Sequence, residues 1–264
     1  MKDIDKQKLF YKSSFPKGEE YFSWLFSKDD MKENMTMEIY EKDEKFKSLE
    51  TLKILPDILE TIYNVSTCYY GCTGGAHIIE YITGRGYNLG ISAFKILRLG
   101  FYDEALSLIR SISEINNLFS LFGIDEKAKQ NWYDMNEKER IREFSPAKVR
   151  EKMSKTVLEA PISREYYSKL CEVGVHVNPT TKPQGKNHVE KAMIGGFVTK
   201  ELSIAVLNDL AFNLVWLAIL ALRNSVSQET FLIEVSKIQP HFSKIGDLNI
   251  ETIDQYMNEQ KNGK

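Results

Sequence analysis

Residues 91–122, ISAFKILRLGFYDEALSLIRSISEINNLFSLF, constrain the fold more than any other part of this chain. Apolar residues recur at helical spacing on both sides of Gly100. Glycine takes the left-handed backbone conformation without steric cost, so Gly100 predicts a helix C-cap. The spacing therefore predicts one helix over about 88–99 and another over about 103–122, with Asp103 capping or opening the second and Gly123 ending it. A loop this short makes them an antiparallel hairpin.

A second feature points the same way. Residues 210–222, LAFNLVWLAILAL, form an apolar run interrupted by Asn213. Thirteen residues are too few to cross a bilayer as a helix, so the run reads as a buried core helix within about 197–224. No period-two alternation is sustained, and glycine and proline do not recur at hairpin spacing. The expected fold is all-α: an irregular bundle built around the helical hairpin at 88–122 and the long buried helix at 197–224.

The remaining punctuation divides the chain. Residues 1–50 carry ten Lys and twelve Asp or Glu, yet also Phe15, Tyr21, Phe22, Trp24, Leu25 and Phe26. So many large apolar groups predict a packed amphipathic segment of one or two short helices. Residues 51–264 are expected to form one helical domain. A helix is expected to start near Pro56, where a missing N–H costs no hydrogen bond, and to carry the stripe Ile58, Ile62, Val65 and Tyr69. Six of the fifteen glycines fall between 71 and 90, which predicts turns or close backbone approach there. Further helices are expected over 125–133, 136–143, 146–157 and 163–173, and one or two short ones after 224.

Charge and cysteine content bound the function. The net charge of −2 gives no global case for binding nucleic acid or membrane. Three cysteines, Cys68, Cys72 and Cys171, argue against a disulfide scaffold and for a reducing compartment. The first residues mix both charge signs without an apolar core, so no signal peptide is expected and the cytoplasm is the expected location.

Asp103, Arg110, Glu114 and Asn117 share a narrow stripe on one helix face. This stripe reads as solvated, as a structural ion pair, or as a site in which Arg110 grips an anion and Glu114 orients it or acts as base. Leu106 and Leu121 in the same stripe predict cover by a neighbouring element. Past 173 comes His176, then a loop holding Asn178, Lys182, Gln184, Lys186 and His188. Between 176 and 191 it carries three lysines against one glutamate. Such a loop suits phosphate binding or acid–base chemistry, and equally a solvated connector.

The other patterns are weaker. Cys68, Cys72, Cys171 and His176 add up to a zinc ligand set but lack a short C-x2-C knuckle, so the expectation is free cysteine, no metal and no cofactor. GCTGGAH has no following Lys-Ser or Lys-Thr, and GRGYNLG has no preceding strand, so neither is a nucleotide motif and both read as turns. His77 and Glu80 are close in sequence, with nothing else marking them as catalytic. Glu201, Asn208, Asp209 and Asn213 interrupt the apolar helix. Without Glu-x-x-His they do not make a di-iron bundle, and they read as partners for polar side chains on a neighbouring helix.

The run ALSLIRSISE (105–114) followed by VHVNP (175–179) resembles a group of uncharacterised bacterial all-helical proteins, distantly similar to HEPN-type bundles of toxin–antitoxin and phage-defence systems. The resemblance spans about 88–224. It implies a ribonuclease or nucleotide-processing effector in which Arg110 stabilises a phosphate, His176 transfers a proton and Glu114 fixes one of them. The chain departs from the HEPN pattern, in which the histidine follows the arginine closely on one segment; here the two must meet across helices. Three functions thus compete: an interaction or sensor/effector component acting through a protein partner or a homodimer; the RNA- or nucleotide-directed enzyme; and a bundle that binds a small ligand, with Asn117, Asn178, Lys182, Lys186 and His188 as the candidate contacts.

Overall fold

Helix α9, Lys200–Ser225, organises the molecule. Sixteen of its residues are buried, from Ser203 to Leu222, and they point in all directions around the axis. A helix apolar on every side must be enclosed by others. The computed structural model describes residues 18, 20–72, 76–156, 158–176, 195–240 and 245, and among these every regular element is a helix. Around α9 stand α2 (Ser48–Ser66), α3 (Ile78–Arg98) and α4 (Tyr102–Ile124), packed on it and on each other in sequence. Helix α9 also has the length and hydropathy of a membrane-crossing segment, with mean hydropathy 1.9 over eighteen residues, but 78% of that window lies inside the bundle.

The remaining elements decorate this core. Helix α1 (Glu20–Glu41) packs on α2, α3 and α9. Its Tyr40 is fully buried and donates to the Ser203 carbonyl, and its Glu33 pairs with Arg98 at 2.8 Å. Where the sequence predicts one or two short helices, the described residues of that segment ahead of α2 form one helix of 22 residues, and Phe22 and Phe26 on it are exposed. Short helices α5 (Glu126–Asp134), α6 (Glu137–Phe144) and α7 (Pro146–Met153) follow α4. Then α8 (Arg164–Gly174) runs back along α4, and α10 (Gln228–Ile238) closes the described bundle. Asp125, Asn136, Ser163, Thr199 and Ser227 cap five of these helices through side-chain acceptors.

The α3–α4 hairpin turns at Gly100, as its sequence predicts. The Gly100 N–H donates to Leu97 O and the Phe101 N–H to Ile96 O, with Gly100 at φ 78°. These bonds form a Schellman cap. The turn is also a crossing point: Phe197 N donates to Gly100 O, and Thr199 exchanges hydrogen bonds with the Tyr102 hydroxyl. The hairpin thereby fixes the entry of α9.

Several boundaries correct the sequence reading. Helix α2 begins at Ser48, so Pro56 lies inside it and only one internal hydrogen bond is forgone. Tyr69 lies beyond its end and is exposed, so it is not part of the buried stripe. Gly84, Gly86 and Gly90 sit within α3 rather than in turns. A Cβ on Gly86 would lie 2.5 Å from Leu217 Cδ2, and one on Gly90 would lie 2.7 Å from Leu214 Cδ2. These glycines let α9 approach α3 closely. Helix α4 starts at Tyr102, so Asp103 is in its first turn, and it continues through Gly123 to Ile124.

Candidate functional site

Helix α8 lies antiparallel on the polar stripe of α4. Asn117 clamps the chain ahead of α8: its Nδ2 donates to Ile162 O and its Oδ1 accepts from Ile162 N, both at 3.0 Å. At the other end the Ser107 hydroxyl donates to Gly174 O. A Cβ on Gly174 would sit 3.1 Å from Asp103 O, so glycine lets the two helices touch there. Asn117 is buried and both ends of its amide are used, which makes it a structural clamp rather than a ligand contact.

Between these clamps Arg110 and Glu114 form an ion pair, closed by Tyr167. The Tyr167 hydroxyl donates to Glu114 Oε1 at 2.6 Å and accepts from Arg110 Nε at 3.2 Å. Arg150 stacks over the same ring, 4.5 Å from its centre. Burial, then the Glu114 carboxylate, push the Tyr167 hydroxyl above its ordinary range, with Arg110 opposing. Burial works against the Arg110 charge, but Tyr167 and Glu114 outweigh it and raise its pKa. At neutral pH the three groups are a fixed donor–acceptor set. Tyr167→Phe is expected to lower stability by about 1 kcal/mol, because the set is part-exposed and the ion pair survives. Urea midpoints of the two proteins measure this.

His176 is exposed, two residues past α8, and its N–H donates to Cys171 O. The pairs Asn117–Ile162, Glu114–Tyr167 and Ser107–Gly174 set the register. Arg110 and Glu114 are brought together with Tyr167, while His176 lies beyond the C-terminal end of α8. Asn178, Lys182, Lys186 and His188 lie outside the described residues.

On the other side of α8 the polar residues of α9 make a second network. Asn213 is fully buried. Its Oδ1 accepts from Ser113 Oγ at 2.7 Å and from Asn116 Nδ2 at 3.4 Å, and its Nδ2 donates to the Tyr166 hydroxyl at 2.9 Å. That hydroxyl donates in turn to Asp209 Oδ1 at 2.9 Å. One tyrosine thus ties α8 to α9 and is held in a single orientation.

Tyr166 and Asp209 form part of the wall of a cleft of about 1140 Å³ between α8, α9 and the turn at Lys45 and Phe46. Glu201, Ala205, Asn208, Phe212 and Trp216 recur at helical spacing along its α9 side. Phe46, Ile204, Phe212 and Trp216 supply apolar surface; Lys169, Lys200, Glu165 and Glu201 supply charge of both signs. Asn208 Oδ1 is buried and has no hydrogen-bond partner among the described residues.

The sequence marks Asn208 and Asp209 as polar interruptions in an apolar helix. It gives no sign of Tyr166, Lys169 or Trp216 as site residues, because each fits an ordinary amphipathic or core position. Only the pairing of α8 with α9 makes them neighbours. Comparison of the chain with protein-family models, with curated proteins and with solved structures finds no match.

Proposed function

We propose that this protein is the ligand-binding component of a sensor or effector system, and that the α8–α9 cleft takes a small amphipathic molecule bearing an N–H donor. The observation that carries the reading is the buried Asn208 carbonyl oxygen, an acceptor without a partner among the described residues, on a side chain that lines this cleft. Burying an unsatisfied acceptor costs about 1–3 kcal/mol, which a ligand N–H would recover once the Asn208 amide turns its oxygen into the cleft. The rest of the cleft suits such a molecule. Its volume lies slightly above the usual range of small-molecule sites, and apolar walls with a few fixed polar groups are their usual composition.

The same proposal includes the cytoplasmic setting and a bacterial defence or stress system, to which the resemblance points. It also includes readout of occupancy through a protein partner or a second copy of the chain. The ribonuclease alternative draws less support: it needs Arg110 to leave Glu114 and Tyr167, and His176 to reach back along α8.

The test is a saturation-transfer NMR screen of small aromatic amines and amides against the wild type and Ala205→Trp. Ala205 is exposed on the cleft wall, so an indole there fills the cavity and leaves the core untouched. The expected result is a set of hits with dissociation constants of about millimolar or tighter that vanish in the variant. Hits retained by Ala205→Trp, or none in either protein, would contradict the proposal.

A further inference from the structure

A cluster of soft ligands lies where α2 passes into α3. Helix α2 ends at Ser66, and the chain turns through Cys68 and Gly71 to the exposed Cys72. It re-enters at His77, the residue before α3. The Sγ atoms of Cys68 and Cys72 and one imidazole nitrogen of His77 all lie within 4.8 Å of one another. Cys68 Sγ is 3.5 Å from His77 Nδ1. Glu80, one turn into α3 and 2% exposed, holds Oε1 3.9 Å from the same nitrogen.

We infer that Cys68, Cys72 and His77 bind one zinc ion, with the Glu80 carboxylate drawn in as the fourth ligand. Zinc sits about 2.3 Å from sulfur and about 2.0–2.1 Å from nitrogen, so the sulfur–nitrogen edge of a tetrahedral site is about 3.6 Å. The observed 3.5 Å between Cys68 Sγ and His77 Nδ1 matches that edge, and small side-chain rotations bring in Cys72, within 4.8 Å of both, and Glu80, 3.9 Å from the nitrogen. The donor set selects the metal class. Two thiolates and an imidazole favour zinc over magnesium or calcium, which take oxygen ligands.

The backbone supplies an independent argument. Among the described residues only Lys47, Cys68 and His77 are non-glycine residues at positive φ, and two of these three are ligands. Cys68 has φ 57° and His77 has φ 54°. A Schellman cap holds Cys68, with its N–H on Val65 O and the Tyr69 N–H on Asn64 O, whereas His77, whose side chain caps no helix N–H, sits at a cost of about 1–3 kcal/mol that needs something to hold it. Bonds to one ion would do so, and would clip the end of α2 to the start of α3.

Cobalt is the probe. The full-length protein, stripped of metal and kept reduced, is titrated with Co(II) and then with Zn(II). One equivalent of cobalt is expected to give a thiolate charge-transfer band and the intense visible bands of a tetrahedral site, both abolished by zinc. Cys72→Ser, at an exposed position that tolerates serine, should lose at least tenfold in affinity and about half the charge-transfer intensity. Glu80→Gln should keep the charge transfer and bind about tenfold more weakly. Cys171→Ser should bind as the wild type does. The inference is overturned if the wild type shows no charge-transfer band, or if the band is unchanged in Cys72→Ser or lost in Cys171→Ser.

Discussion

Asn213→Ala is expected to lower the free energy of unfolding by about 3 kcal/mol or more. The side chain is fully buried and bonds Ser113, Asn116, Tyr166 and its own helix at Asp209 O. Removing it takes a partner from the Tyr166 hydroxyl, from the Ser113 hydroxyl, which keeps Ile109 O, and from the Asn116 amide, which keeps the backbone carbonyl of residue 213, and it opens a cavity in the core; each buried bond lost costs about 0.5–1.5 kcal/mol before the cavity is counted. A urea titration measures the loss. A double-mutant cycle with Ser113→Ala separates the network from simple truncation. The cost of the pair should fall well short of the sum, because once the hydroxyl is gone Asn213 has one partner fewer to abandon. Additive costs would mean that the two side chains do not act together. The variant should also weaken binding in the cleft, since Tyr166 loses one of the partners that orient it.

Gly100→Ala is the second large effect, expected at about 3–5 kcal/mol. The residue sits at φ 78°, and an alanine Cβ would lie 2.2 Å from Phe197 O and 2.7 Å from Phe197 N. Both atoms are backbone, so no flexible side chain can yield, and the hairpin must separate from the segment that leads into α9. Gly195→Ala is the control. It shares the positive φ, at 84°, but among the described residues nothing lies within 4 Å of its Cβ. It should cost about 1 kcal/mol, the conformational part alone. Equal losses at the two glycines would show that the crossing at Phe197 contributes nothing.

Gly100 also shows what the sequence makes legible. A glycine between two apolar periodicities has one reading, and the hairpin follows from it. For Gly86 and Gly90 the sequence offers turns or close approach; the turn reading misleads, and close approach, inside a helix, is what they provide. Their purpose, room for Leu217 and Leu214, belongs to a residue run more than a hundred positions away. Pro56 misleads in the same manner: a helix start is the cheapest place for a proline, but the buried side chains on both sides of it hold α2 together through the lost bond.

The sites divide along the same line. The Arg110–Glu114 pair is local to one helix and is visible from spacing, whereas Tyr167 reaches it only through the packing of α8 on α4. Asn117 looks like a member of a polar stripe, and its use as a clamp on Ile162 depends on where the chain returns. The cysteines are the sharpest case. Sequence spacing links Cys171 to His176, but the left-handed turns at Cys68 and His77 bring Cys68 and Cys72 to His77 instead. Long-range packing and positive φ at non-glycine residues leave no periodic trace.

The measurement that bears most directly on the cleft is the NMR shift of the Asn208 side-chain amide, followed during titration with a hit from the amine and amide screen. The account predicts a saturable shift at Asn208, with the Asn224 amide, which bonds Phe119 O and Leu220 O away from the cleft, staying fixed. An Asn208 signal that stays still while the ligand binds, or that moves no more than Asn224, would contradict it.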